Sequence, residues 1–331
     1  MLNGTNHSAL RGLLLLRRRR QITSSTNREV HKRWKSNVVG FVGLGNMGIP
    51  MAKNLLKNGY TVIGNDVSAK RMELFREESD GAANTADTLQ EISSSTDTVV
   101  TMLPECAHVL AAYSALLESS KENQMFVDCS TISPETSIKV AEMAQRKGCR
   151  FLGAPVSGGV VGAANGTLTF MVGGQEDTVK AAQGLFDSMG SRTVHCGAQG
   201  TGLIAKICNN MILGMTTVAV AEAMNLGIKL GLDPKLFASI INTSTGKCWS
   251  SEVNNPVPGA TDNKCPSNSD YQNGFKSVLL LKDMRLGKSL AISSGAPIPL
   301  TDKTVDTYEQ LTAKGLGDKD FSVVYKYFRE T

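Results

Sequence analysis

The chain has 331 residues and a hydrophobic share of 41%, enough for about two domains around a substantial core. Its formal charge of +5 misleads: residues 1–36 hold nine Lys/Arg against Glu29 alone, and the rest keeps 26 basic and 29 acidic residues, a net of −3. A body with that balance offers no electrostatic footing for nucleic acid.

The chain opens on a leader. Leu13 to Leu16 is followed by Arg17 to Arg20 and then by Ser, Thr and more Arg. The apolar run is far too short to span a bilayer, and a secretory signal would carry its charges before that run. Arg-rich, Ser/Thr-containing and nearly free of acids is the pattern of a mitochondrial transit peptide over residues 1–36; the plainer reading is a disordered basic tail. No later stretch reads as a membrane span.

Residues 38–42 (Val-Val-Gly-Phe-Val) read as a buried strand, and 43–48 open a helix that Asn58-Gly59 ends. A second strand covers 61–65, with further strands expected at 98–103, 125–128 and 168–172 and helices between them. This alternation predicts a parallel sheet covered on both faces, in a first domain over 37–199. From 200 to 331 the pattern turns helical: one long run over 202–230, another from Asp233-Pro234, and helical periods over 274–295 and 302–315. The long helix is apolar on most sides and should be buried within its domain or between subunits. Residues 253–274, rich in Pro, Gly, Asn and Ser, read as an ordered flap over a site or a surface connector.

Gly43-Leu44-Gly45-Asn46-Met47-Gly48 follows a strand, opens a helix, and has Asp66 at the end of the next strand, 18 residues past Gly48. That context, unlike the glycine spacing alone, points to a bound dinucleotide. Gly43 permits the turn, Gly45 lets the backbone approach a pyrophosphate at the helix N-terminus, and Gly48 lets helix and strand pack closely. Asp66 can accept bonds from the adenosine ribose and would repel a 2′-phosphate, which favours NAD over NADP; Arg71 is a small counterweight. Leu103-Pro104 sits at a strand's carboxyl end, where such crevices lie, though it also suits an ordinary turn. Asp128-Cys-Ser130-Thr131-Ile-Ser133-Pro134 follows another strand. One of its hydroxyls either reaches the nicotinamide or substrate or merely caps the next helix. Pro155-Val-Ser157-Gly158-Gly159 supplies small residues and a hydroxyl on which a substrate carboxylate can sit, or a flexible loop.

Lys206 lies in the middle of the long apolar helix, with Asn210 four residues on and on the same face. A buried ammonium either pairs or drifts toward its neutral form, which suits a general base; the alternative is a lysine that snorkels to the rim. Lys282, in Leu281-Lys282-Asp283, reads equally well as a solvated helix charge. Of the histidines, His108 can line the cofactor crevice and His195 is a remote candidate base. Seven scattered cysteines without a C-x-x-C pair predict free thiols and no metal site.

Taken in order, Gly-Phe-Val-Gly-Leu-Gly-Asn-Met-Gly at 40–48, Ala-Pro-Val-Ser-Gly-Gly at 154–159, Gly-Thr-Leu-Thr at 166–169, Gly-x-Gly-x-x-x-Lys-x-x-Asn-Asn at 200–210 and Lys282-Asp283 resemble the 3-hydroxyisobutyrate dehydrogenase family of β-hydroxyacid dehydrogenases. The segment 242–251 resembles its mitochondrial branch. The resemblance spans Val38 to the C-terminus. It implies a Rossmann domain followed by an all-helical domain, association as dimers or larger, and oxidation of a small 3-hydroxy acid in the mitochondrial matrix, with neither nucleic acid nor membrane as partner. It implies Lys206 as the catalytic residue, Ser157, Gly158, Gly159, Asn210 and Thr131 on the substrate, and Leu103, Pro104, His108, Thr131 and Lys282 with the glycine turn and Asp66 on NAD. Two departures stand out: Gly153 where the family carries Asp, and His108 where this branch carries Asn. The rival readings are a sibling reductase for tartronate, glyoxylate or succinic semialdehyde, and a dehydrogenase-like scaffold without catalysis.

Overall fold

The computed structural model describes residues 37–331; the leader and its transit-peptide reading lie outside the described residues. The strands are β1 (Val38–Val42), β2 (Thr61–Asn65), β3 (Asn84–Thr85), β4 (Thr98–Thr101), β5 (Met125–Asp128), β6 (Arg150–Gly153), β7 (Val156–Ser157), β8 (Leu168–Gly173) and β9 (Gly190–Gly197). Among them run helices α1 (Gly48–Lys57), α2 (Ala69–Glu77), α3 (Leu89–Ser95), α4 (Cys106–Glu118), α5 (Pro134–Arg146), α6 (Gly159–Asn165), α7 (Glu176–Ala181) and α8 (Gln183–Met189). The remainder is helical: α9 (Thr201–Lys229), α10 (Pro234–Asn242), α11 (Trp249–Glu252), α12 (Ser277–Ser294), α13 (Pro299–Leu311) and α14 (Val324–Glu330).

The sheet has the order β3-β2-β1-β4-β5-β6-β8-β7, with β9 beside β8. From β3 to β6 every pairing is parallel, as the alternation predicts. The far edge differs: β8 runs antiparallel to β6 and to β7. The cause is the short connection after β6. The chain forms β7 and α6 without crossing back along the sheet, so β8 enters from the end where β6 left. The longer connection through α7 and α8 then lets β9 pair with β8 in parallel. The inner strands are Val- and Phe-rich and buried on both faces, with Phe41, Val99, Val100, Phe126 and Val127 fully enclosed. Each such side chain contributes about 2 kcal/mol of apolar burial.

Local signals set the helix ends. Ser133 Oγ accepts from Thr136 N (3.1 Å) and Pro134 begins α5, so Ser133 is the cap within the Ser-Thr motif. Asp233 Oδ1 accepts from Leu236 N (2.8 Å) to start α10. The expected helix over 302–315 is shifted: α13 spans Pro299–Leu311, and the next turn is kinked at Gly315.

Residues 38–331 form one compact unit. By length and apolar composition α9 passes the test for a bilayer-crossing helix. In the fold its inner face packs on β8, α12, α13 and α14, around Met224, Leu280, Met284 and Tyr308. The outer face leaves Ile204, Ile212 and Leu226 exposed, so the chain by itself buries only part of the helix. The segment 253–274 is ordered. Asp320, itself buried, accepts from Phe275 N (2.8 Å) and Asn254 Nδ2 (3.2 Å) and pins both ends of that segment to the start of α14.

Candidate active site

The glycine turn is built from close approaches. Gly43 has φ +96°, and a Cβ there would overlap Met102 O. A Cβ on Gly48 would overlap the Gly43 carbonyl, so the first turn of α1 can reach β1 only as glycine. A Cβ at Gly45 would meet nothing within 4 Å, so the backbone here faces open space and can take a phosphate. Asp66 is half-buried and locks this turn: Oδ2 accepts from Leu44 N (2.8 Å) and Oδ1 from Ser68 N (2.9 Å). Each carboxylate oxygen keeps a further lone pair for a ribose hydroxyl. Asn46 accepts from Arg71 Nη2 (3.0 Å), and Met47 precedes α1 as its cap residue. A cleft of about 290 Å³ opens beside the turn, lined in part by Gly45, Asn46, Ile49, Arg71, Val160 and Asn273. These features fit a dinucleotide.

At the carboxyl ends of β4 and β5 the chain builds a second wall. Lys282 Nζ, from α12, donates to Thr131 O (2.5 Å) and Pro104 O (3.2 Å), so it binds two loops together and is no free surface charge. Beneath them Asp128 is buried. Its Oδ1 accepts from Ser130 Oγ (2.6 Å) and Thr101 Oγ1 (2.7 Å), and Ser130 Oγ accepts from Leu103 N (2.8 Å). Burial raises the Asp128 carboxyl to about 6, against the bonds from Ser130 and Thr101 and the charge of Lys282, which pull it down. His108 is exposed in the first turn of α4, and its side chain makes no hydrogen bond among the described residues. His195 is engaged elsewhere, its Nε2 within 2.9 Å of Gly174 O and 3.0 Å of Gly197 O.

Lys206 and Asn210 share one face of α9. Asn210 is buried and donates from Nδ2 to Asp283 Oδ2 (2.7 Å), while Asp283 Oδ1 lies 3.1 Å from Lys282 Nζ. Lys206 is half-buried, and its side chain forms no hydrogen bond or ion pair among the described residues. Its ammonium is pushed below the usual lysine range by desolvation; Asp283 opposes the shift and Lys282 adds to it. Asp283, which the residue pattern leaves without a role, therefore links Asn210 to the lysine's electrostatics. Its signal in the sequence is a carboxylate directly after Lys282 in an apolar helix.

Ser157, Gly158 and Gly159 link β7 to α6 directly before Val160 of the cleft wall, with φ of +135° at Gly158 and +61° at Gly159. Among the described residues no hydrogen bond ties them to Lys206. They are anchored by Ser157 pairing with Thr169 across β7 and β8.

The Gly153 departure has a steric reason. A Cβ there would stand 2.8 Å from the Gln199 amide and 2.8 Å from Ser137 Oγ. With its nitrogen toward Gly173 O (3.1 Å), the Gln199 amide accepts from Ser137 Oγ (2.7 Å) and Gly153 N (3.3 Å), tying α5, β6 and β8 together just before α9. Gly153→Asp is expected to destabilise the protein by about 1–3 kcal/mol through overpacking, measured by urea unfolding. Adding Gln199→Ala should recover part of that loss. An unchanged midpoint in the single variant would refute the steric account.

Comparison with known proteins gives the class. Residues 38–197 match the family described as NAD binding domain of 6-phosphogluconate dehydrogenase. Residues 200–328 match NAD-binding of NADP-dependent 3-hydroxyisobutyrate dehydrogenase. The chain is thus a two-part nicotinamide-dinucleotide dehydrogenase. It is 47% identical over 295 residues to the human protein named 3-hydroxyisobutyrate dehydrogenase, mitochondrial, covering 88% of this chain and 87% of that one. The Drosophila melanogaster protein of the same name is 45% identical over 293 residues, 88% of this chain and 89% of that one. Among solved structures, a Mycobacterium tuberculosis 3-hydroxyisobutyrate dehydrogenase with L-serine superposes with a TM-score of 0.82 at 38% identity, covering 88% of this chain and 99% of that one. The chain belongs to the 3-hydroxyisobutyrate dehydrogenase family.

Proposed function

We propose that the protein oxidises the primary alcohol of 3-hydroxyisobutyrate to the aldehyde of methylmalonate semialdehyde, a step of valine degradation, in the mitochondrial matrix. The mitochondrial naming of its relatives and the basic leader support that location. The observation that carries the chemistry is Lys206: a desolvated amine, unpartnered among the described residues, on the face it shares with Asn210. NAD, when bound, supplies the acceptor for the hydride. The protein's own groups do the rest. Ser157, Gly158 and Gly159 hold the substrate carboxylate with a hydroxyl and backbone N–H groups. Asn210, held by Asp283, and Thr131 fix the hydroxyl's direction. Lys206 Nζ, in its neutral form, accepts the hydroxyl proton. The glycine turn from Gly43 to Gly48, Asp66, Leu103, Pro104, His108, Thr131 and Lys282 hold the dinucleotide.

Asp66 sets the cofactor preference. Its carboxylate is anchored by two backbone N–H groups and cannot swing away, so a 2′-phosphate would meet a fixed negative charge. Turnover of 3-hydroxyisobutyrate by the purified chain is expected with NAD and at least about tenfold weaker in kcat/KM with NADP, a penalty in the range of one unpaired charge contact. Equal rates with the two cofactors would refute this role for Asp66, and absence of turnover with either would refute the function.

The exposed face of α9, with Ile204, Ile212 and Leu226 and with Leu230 just past its end, supports a homodimer or larger assembly in which a second chain covers it. The net charge of −3 outside the leader gives no electrostatic support for a nucleic-acid partner, and the naming of the relatives supports a small 3-hydroxy acid as substrate.

A further inference from the structure

The wall formed by Leu103 and Pro104 is held from two sides. From above, Lys282 Nζ grips Pro104 O. From below, the only bond to the Leu103 N–H among the described residues runs to Ser130 Oγ, at 2.8 Å. A hydroxyl has one proton, so what Ser130 offers Leu103 depends on where that proton goes. Asp128 Oδ1, 2.6 Å from Ser130 Oγ, is acceptor-only when ionised and takes it, which leaves a lone pair aimed at Leu103 N. Thr101 is set in the same way. It donates to Asp128 Oδ1 (2.7 Å), so the Tyr113 hydroxyl, 3.1 Å from Thr101 Oγ1, is the donor in that contact. All four side chains are fully or almost fully buried, and no solvent competes for these bonds.

We propose that Asp128 is a positioning residue for the dinucleotide: it orients the Ser130 hydroxyl, which holds the Leu103 amide and so fixes the wall against which the cofactor binds. The inference rests on the dinucleotide reading of that crevice. Asp128 itself need touch neither cofactor nor substrate. Toward Leu103, Ser130 and Asp128 then act as one unit, since Asp128 reaches the Leu103 amide only through the Ser130 hydroxyl.

The test is calorimetric titration of the full-length protein with NAD, together with thermal unfolding in its absence. Ser130→Ala and Asp128→Leu are each expected to weaken NAD binding by about tenfold, the effect of losing one positioned hydrogen bond. Asp128→Asn retains an acceptor oxygen for Ser130 and should stay within about threefold of the parent. The double variant Asp128→Leu with Ser130→Ala should bind no worse than the weaker single variant, because the two residues form one device. The KM for the hydroxy acid should be unchanged in Ser130→Ala. Parent-like affinity in Ser130→Ala, or losses that multiply in the double variant, would overturn the proposal, even if unfolding temperatures fall. Failure of the parent protein to bind NAD would overturn the cofactor reading instead.

Discussion

Lys206→Met is expected to lower kcat by about a thousandfold, within the usual span for removal of a general base, while leaving NAD affinity within a small factor of the parent. Methionine matches the lysine stem in length and apolar character, so the helix keeps its packing and only the proton acceptor goes. The pH dependence carries the same claim. Burial lowers the Lys206 pKa, and Asp283 raises it again by stabilising the ammonium. A base works in its neutral form, so kcat should rise with pH through that pKa and then level off. Asp283→Asn removes the stabilising charge, lowers the lysine pKa further, and should move the acid limb of kcat to lower pH. A move to higher pH would contradict the assigned electrostatics. Parent-like turnover in Lys206→Met would remove the lysine from the chemistry.

The second large effect is expected one turn before the lysine, at a glycine that has no side chain to react. A Cβ on Gly202 would overlap Met171 O and stand 3.0 Å from Gly173 N, and both obstacles are backbone in β8 that cannot rotate away. In Gly202→Ala the first turn of α9 must lift off the sheet. Lys206 lies one turn on and moves with it. A displacement of that kind costs about a hundredfold in kcat when the acceptor must meet a hydroxyl at hydrogen-bond distance. Asp66 and the glycine turn lie on the other side of the sheet order and should bind NAD as before. The check is a pair of measurements on the folded variant: kcat, and NAD affinity by calorimetry. Loss of both together would mean that the substitution disturbs the fold at large. Full kcat would mean that the contact between α9 and β8 does not place the lysine.

The features legible in the sequence are those whose cause is local. The spacing of Gly43, Gly45 and Gly48 encodes its own turn, and Asp66 is found because the second strand ends where the pattern says. The long helix is plain from its apolar run, and the capping of α10 from Asp233-Pro234. The Ser-Thr motif could not be resolved in advance, because Ser130, Thr131 and Ser133 are alike in composition. Only the fold shows that Ser133 caps α5, Ser130 reaches Asp128 and Thr131 contributes its carbonyl to Lys282. The bond between Asn210 and Asp283 joins residues 73 positions apart, and the Gln199 contact with Ser137 spans 62. No periodicity carries such information. The antiparallel entry of β8 was hidden for a related reason: a strand's residues report its burial, whereas its direction is set by the length and path of the connection before it.

The reading that a NAD site, a carboxylate seat and a lysine base together act on 3-hydroxyisobutyrate is checked by kcat/KM of the full-length chain with NAD for 3-hydroxyisobutyrate, L-serine and 3-hydroxypropionate, measured side by side. The expected result is a preference for 3-hydroxyisobutyrate of at least about tenfold over 3-hydroxypropionate, the range available from one methyl group in a fitted pocket. Uniform rates across the three acids, or a clear preference for another of them, would contradict it.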